Sequence, residues 1–221
     1  MSNANTPAPT APDTDLRYPA TIMVLAGGNG ARMGGVDKAL LPWGERSLLD
    51  AIAAEAHSAA QEVLIVGGVA SCPNGAVVVE DVIPGCGPLG GLHAGLSAAR
   101  FERCLAVACD MPFVTAGVMR GLLRLGEGYD AAVPRAADGL HPLLAAYSRA
   151  SLPCVETQLR NGDRSMRSFF DQVSLRWIRE EELRPFDPEL RCLFNINTWQ
   201  DYQRALTIAG RASPRDGIIR R

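Results

Sequence analysis

The chain has 221 residues, 47% of them apolar, enough to build one domain with a substantial core, so disorder is not the default. Its 22 basic and 24 acidic residues leave a net charge of −2, which argues against a protein built to bind nucleic acid, where a basic excess is expected. The six cysteines, at positions 72, 86, 104, 109, 154 and 192, include no C-x-x-C pair. Without a secretory signal they read as reduced thiols in a cytoplasmic protein.

Residues 1–19 are rich in Asn, Thr, Pro and Ala, with neither a basic start nor an apolar h-region, and read as a disordered leader. Ile22-Met23-Val24-Leu25 is a short apolar run with the look of a buried parallel strand. A loop follows in which Gly27, Gly28, Gly30, Gly34 and Gly35 lie within nine positions, and its charges are Arg32, Asp37 and Lys38. Ser47-Leu48-Leu49-Asp50 has the S-x-x-D pattern of a helix start, with apolar positions at helical spacing to about Ala60. Val63 to Val66 and Val77 to Val79 read as buried strands, the second ending at Glu80-Asp81. The Pro/Gly-rich residues 84–91 read as a loop feeding a helix near 92–100. Leu105 to Ala108 is a further strand closing on Cys109-Asp110-Met111-Pro112, and Thr115 can cap a helix to about Leu125.

The second half is less regular. Residues 131–133 and 143–147 read as strands around a loop at 135–142, residues 151–160 and 166–170 as helices, and 173–178 as a strand. Residues 192–197 read as another strand, before Thr198-Trp199-Gln200-Asp201 starts a capped helix. Residues 211–221 form a polar, basic tail not expected to be ordered. The alternation of strand and helix predicts an α/β fold, a mostly parallel central sheet with helices on both faces, as one domain over 20–210. No run approaches the ~20 apolar residues of a membrane span.

In such a sheet ligands sit at the carboxyl ends of strands, where the glycine loop, Asp81 and Asp110 all fall. A loop stripped to backbone can aim several N–H groups at one anion, and Arg32 and Lys38 add the charge that a triphosphate requires. The alternative, a glycine-rich surface connection, explains flexibility but not two cations within it. Two familiar glycine motifs fail: a dinucleotide fingerprint from Gly28 meets Met33 where glycine should stand, and a P-loop is excluded by Asp37 before Lys38 and Ala39 after it. A carboxylate at a strand end beside a phosphate loop suits Mg²⁺, which shares oxygen ligands with phosphates; an aspartate in a turn reads equally well for Asp110 taken alone. Asn195 and Asn197, alternating along a strand, would face one cleft, or merely decorate an edge. Asp81 could bind a base or a ribose, or serve turn chemistry. His141 has Asp138 nearby but no nucleophile marked by context, so substrate contact is preferred to catalysis.

The pattern L-A-G-G-x-x-x-R-M-G-x-x-D-K over Leu25 to Lys38 resembles the signature loop of the molybdenum cofactor guanylyltransferases. Gly87-Pro88-Leu89-Gly90-Gly91 is similar to their G-P-L-x-G element, Cys109-Asp110-Met111-Pro112 to their metal-binding C-D-x-P, and Asp138-Gly139-Leu140-His141-Pro142-Leu143 to their D-G-x-H-P-L segment. Gly162-Asp163-Arg164 and Asn195-Ile196-Asn197-Thr198 match two more, the last continuing with Trp199 where the family usually has proline. The resemblance implies a Rossmann-like nucleotidyltransferase fold and transfer of GMP from GTP to the terminal phosphate of molybdenum-carrying molybdopterin, with release of pyrophosphate. It implies that Leu25, Ala26, Gly27 and Gly28 hold the nucleotide with Asp81, Pro88 and Leu89, that Lys38 and Arg32 contact phosphates, and that Asp110 and Asn197 hold Mg²⁺. His141 and Arg164, with Arg135, are candidates for the pterin substrate. Molybdenum-insertion proteins and molybdoenzyme chaperones are the implied partners, with no nucleic acid and no membrane.

The alternatives are a cytidylyl- or sugar-nucleotide-forming relative on the same fold and a non-catalytic GTP-binding regulator. The first group tends to have L-A-A-G where this chain has Leu25-Ala26-Gly27-Gly28 and lacks G-P-L-x-G. The second does not require Lys38, Asp110 and Asn197 together.

Overall fold

The computed structural model describes residues 17–26, 33, 36–68, 75–80 and 86–211. In chain order its strands and helices are β1 (Tyr18–Leu25), the two-stranded ribbon β2 (Pro42–Trp43) and β3 (Arg46–Ser47), α1 (Leu48–Ala59), β4 (Ala60–Val66), β5 (Val77–Val79), α2 (Gly87–Ala98), β6 (Arg103–Ala108), α3 (Ala116–Leu125), β7 (Ala131–Ala136), β8 (Gly139–Leu140), β9 (Leu144–Ser148), α4 (Leu152–Arg160), α5 (Met166–Phe170), β10 (Leu175–Arg179), α6 (Glu180–Leu183) and α7 (Trp199–Ile208). The central sheet runs β10-β7-β9-β6-β1-β4-β5, with β8 on β7. The pairs β1·β4, β1·β6, β4·β5 and β7·β10 are parallel, while β9 lies antiparallel between β6 and β7.

Strand alternation divides the interior. Ile22 and Val24 point to the face covered by Leu49 and Ile52 of α1 and Met119 and Leu122 of α3. Met23 and Leu25 point to the face covered by Leu89 and Leu92 of α2, Val155 of α4 and Phe169 of α5. Each such side chain, fully removed from water, contributes roughly 1.5–3 kcal/mol against the entropy of ordering it. Gly95 lets α2 come down on β1: a Cβ there would lie 2.4 Å from Met23 Sδ and 3.3 Å from its Cβ. The α1 start is the expected one, with Ser47 Oγ accepting from Asp50 N and Asp50 reaching back to Ser47 N. Thr115 likewise caps α3.

Six expectations change. Strand β5, read as buried, is the last strand of the sheet and leaves Val77 57% and Val78 42% exposed. Tyr18 and Pro19, assigned by sequence to the leader, are the first residues of the central strand. Helix α2 begins at Gly87 rather than near 92, because Pro88 sits in its first turn, where the missing N–H leaves no bond unmade. The expected loop at 135–142 contains a short hairpin, β7 continuing to Ala136 and pairing with β8 through Arg135↔Leu140 and Ala136↔Gly139. Residues 192–197 are not a strand: a single 3-10 turn (Arg191–Leu193) precedes a stretch with no ladder partner. Leu190 enters that turn at φ 54°, Asp187 Oδ2 accepts from Cys192 N at 2.7 Å, and the buried positions Cys192, Leu193 and Ile196 do not alternate. Arg211, expected in the tail, is held against Trp43, its guanidinium 4.9 Å from the ring centroid and Nη1 donating to Trp43 O.

Candidate active site

The carboxyl ends of β1 and β6 lie side by side, Leu25 opposite Ala108. The chain leaves β6 into a tight turn, in which Met111 N donates to Ala108 O, and this turn presents Asp110. Cys109 N donates to Leu25 O at 3.1 Å and Ala108 N to Leu143 O at 2.8 Å, fixing the turn between β1 and the start of β9. After the glycine loop, Lys38 begins a single 3-10 turn whose cap is Asp37: its Oδ1 accepts from Ala39 N at 3.0 Å. That cap is the local reason an acidic residue precedes the lysine. The Lys38 ammonium then reaches Asp110 Oδ2 at 3.0 Å and Asn197 Oδ1 at 3.3 Å, across 72 and 159 positions of chain. Both members of the ion pair are mostly buried, with side chains 20% and 18% exposed.

Asn197 arrives there without a strand. Ile196 N donates to Asp110 O at 2.9 Å, so the segment is pinned to the main chain of the residue that its neighbour serves. Asp201 Oδ2 accepts from Asn197 N, Thr198 N and Thr198 Oγ1, which closes the start of α7 and sets the direction of Asn197. Asn195 does not share the cleft: its amide donates to Leu193 O two residues back. The expectation that Asn195 and Asn197 point together falls with the strand it rested on.

An aromatic brace that the sequence reading missed joins the three segments. Trp43 meets Phe113 edge to face at 5.7 Å, and Phe113 meets Phe194 edge to face at 5.7 Å. Trp43 stands five residues after Lys38, Phe113 three after Asp110, and Phe194 three before Asn197. The recurrence of an aromatic residue within five positions of each polar candidate was the available signal. Behind the brace a third core gathers Met33 from the glycine loop, Leu41, Trp43, Leu48, Ile196, Tyr202 and Leu206. Tyr202 donates its hydroxyl to Pro42 O, tying α7 to the ribbon that follows Lys38.

The remaining candidates are placed as follows. Leu25 ends β1 and Ala26 follows it, each 8% exposed, and Leu25 O and Ala26 N already serve the sheet by bonding Cys109 N and Val66 O. Pro88 is exposed on the first turn of α2, while the Leu89 side chain is fully buried, which leaves its main chain for any ligand contact. His141 is 8% exposed, with its Nε2 2.9 Å from Asp138 Oδ1 and its N–H donating to Pro134 O; Asp138 orients the ring from the hairpin turn. Arg135 and Arg164 are exposed. Cys109 is no nucleophile: burial, then the charges of Asp110 and Asp37, push its thiol up to about 12. Gly27, Gly28, Arg32 and Asp81 lie outside the described residues.

Among the described residues no group of three or more His, Cys, Asp or Glu side chains is placed to hold a metal. The donor set at the site is one carboxylate and one amide oxygen converging on a cation, the Lys38 ammonium. A hard divalent ion fits such oxygens, but two protein ligands are few, and the rest must come from phosphates and water. None of the helices among the described residues is long and apolar enough to cross a membrane.

The sequence profile of the MobA-like NTP transferase domain matches residues 22–177. The chain is 40% identical over 192 residues to a Pelotomaculum thermopropionicum protein named a probable molybdenum cofactor guanylyltransferase, a match covering 86% of this chain and 93% of that one. It is 33% identical over 188 residues to the molybdenum cofactor guanylyltransferase of Desulfosudis oleivorans, covering 84% of this chain and 93% of the relative. Among solved structures, molybdopterin-guanine dinucleotide biosynthesis protein A of Archaeoglobus fulgidus superposes with a TM-score of 0.74 at 30% identity, over 86% of this chain and 98% of that one.

Proposed function

This chain belongs to the MobA-like NTP transferase family, and we propose that it transfers GMP from GTP to the terminal phosphate of molybdenum-carrying molybdopterin, in the cytoplasm. The acceptor oxygen bonds to the α-phosphorus of GTP, the α–β phosphoanhydride bond breaks, and pyrophosphate leaves with the displaced electron pair. The product is the guanine dinucleotide form of the cofactor. The observation that carries this reading is the meeting of Lys38, Asp110 and Asn197, from three distant segments, at the edge where the glycine loop leaves β1.

The acceptor phosphate is already an anion at neutral pH, so a strong general base is not required. What the site must do is bring two anions together and offset the charge growing on the departing pyrophosphate. Lys38, with Arg32 of the glycine loop, gives that charge a cationic partner, and main-chain N–H groups of the loop at Gly27 and Gly28 cradle the phosphates. Asp110 and Asn197 would hold Mg²⁺, which supplies Lewis-acid neutralisation of phosphate oxygens when bound. Asp81, Pro88 and Leu89 serve the nucleoside end. On the acceptor side, His141 and Arg164 contact the pterin substrate; Asp138, which orients His141, lines a groove of about 470 Å³ with Phe113 and Arg204. Proteins that insert molybdenum and chaperones that deliver the product complete the proposed partners.

The test is nucleotide selectivity. Offered GTP, CTP, ATP and UTP with Mg²⁺ and molybdopterin, the protein should release pyrophosphate with GTP alone, and Asp110→Ala should abolish it. Release with CTP would overturn the choice of base, and tight GTP binding without release would replace the enzyme by a regulator.

A further inference from the structure

Of the 22 basic residues in this chain, 21 are arginines, and Lys38 is the single lysine. The one ammonium therefore stands between Asp110 Oδ2 and Asn197 Oδ1, the two oxygens that suit a divalent ion. The distinction from arginine matters there. An ammonium is a compact, strongly hydrated point charge on a flexible stem, whereas a guanidinium is a planar fork that grips a carboxylate with two bonds. The stem has four rotatable bonds, and its main chain stays fixed by the Asp37 cap, so the charged head can move without the turn that carries it.

We propose that Lys38 is the resident cation of the Asp110–Asn197 seat, so that a divalent ion enters only together with the nucleotide whose phosphates draw the ammonium away. This rests on the nucleotidyltransferase reading of the same site. The charge balance supports it. Asp110 is the one carboxylate on the seat among the described residues, and Lys38 already neutralises it at 3.0 Å. The Asp110–Lys38 pair thus carries no net charge and meets a divalent ion with a like charge at contact distance. A triphosphate reverses both conditions: its oxygens supply a new partner for the ammonium and further ligands for the ion. Linkage then requires that the ion tighten the nucleotide by the same factor as the nucleotide tightens the ion.

The experiment measures Mn²⁺ binding to nucleotide-free protein from the electron-spin-resonance signal of the free ion, in wild type, Lys38→Met, Lys38→Arg and the double variant Lys38→Met/Asp110→Asn. Lys38→Met should bind Mn²⁺ on the order of tenfold more tightly than wild type. Lys38→Arg, which keeps a cation on the seat, should stay as weak as wild type, and the double variant should lose the gain. Circular dichroism of each variant checks the fold. A Lys38→Met protein that binds Mn²⁺ no more tightly than wild type, or a double variant that keeps the gain, overturns the proposal. The chain's single lysine gives an independent reading: with [¹⁵N]lysine incorporated, its one side-chain signal should stay put with Mg²⁺ alone and shift with Mg²⁺ and GTP. A shift with Mg²⁺ alone overturns the proposal. Because the Mn²⁺ titration contains no nucleotide, its outcome is separate from pyrophosphate release, and either reading can fail while the other stands.

Discussion

Asn195 and Asn197 stand two positions apart in one short motif, and their side chains do unrelated work. Asn197 Oδ1 meets the Lys38 ammonium, while the Asn195 amide closes a local turn on Leu193 O. Asn197→Ala should therefore lower the rate of pyrophosphate release by about 10²-fold, the scale of losing one group that positions charge in a transition state, with its melting temperature nearly unchanged. Asn195→Ala should do the reverse, keeping the rate while losing about 1 kcal/mol of stability in a denaturant titration. Equal losses of rate in the two variants would mean that Asn195 also faces the substrate. Lys38 and Asp110 were legible in the sequence because a lysine after a glycine loop and an aspartate after an apolar strand are local patterns. The separation of Asn195 from Asn197 was not, because it follows from a turn set by Asp187 and Leu190, several residues upstream.

At the scale of elements, most strands and helices of the first half follow from period and capping, which are set by residues within each element. The misplaced elements have two causes: α2 begins at Gly87 because Pro88 suits the first turn of a helix, and residues 192–197 are tied to Asp110 O through Ile196 N and to Asp187 through Cys192 N instead of joining a ladder. The brace belongs to this scale. Trp43, Phe113 and Phe194 touch neither Asp110 nor Lys38 in the hydrogen-bond network, yet each lies on a segment that carries one of the three polar groups. Truncating its centre, Phe113→Ala, should forfeit both edge-to-face contacts, about 0.5–1.5 kcal/mol apiece beyond area. The expected signature is a kcat lowered about tenfold or more, the consequence of polar groups displaced by a fraction of an ångström to 1 Å. Phe113→Leu should recover most of the stability in thermal melts and less of the rate. A Phe113→Ala protein with full kcat would reduce the brace to packing.

The whole molecule is fastened at two opposite edges. Away from the site, the buried carboxylate of Glu62 on β4 accepts from Thr21 Oγ1 on β1 at 2.5 Å and from Arg100 N and Nε ahead of β6. Burial alone would raise its pKa, but the hydrogen bonds from Thr21 and Arg100, with the charge of Arg100, outweigh it and hold the carboxyl below its ordinary 4.5. A lowered folded value means a contribution complete above about pH 4.5 and lost as pH falls through that lowered value. Glu62→Gln should accordingly cost about 1.5–3 kcal/mol in urea titrations at pH 7, with the gap to wild type closing as the pH falls through the lowered value of that carboxyl. A gap that is constant with pH would assign the loss to shape rather than to charge.

At the other edge, the third core and the Tyr202–Pro42 bond join positions 160 residues apart. Contacts so distant in sequence form late, after nearer pairings have repaid the entropy of closing their loops. On a translating ribosome the segments that carry Lys38 and Asp110 emerge well before Ile196 and Tyr202 exist to lock them. Synthesis of α7 is thus the event that completes the site, because the residues that lock it are the last of it to be made.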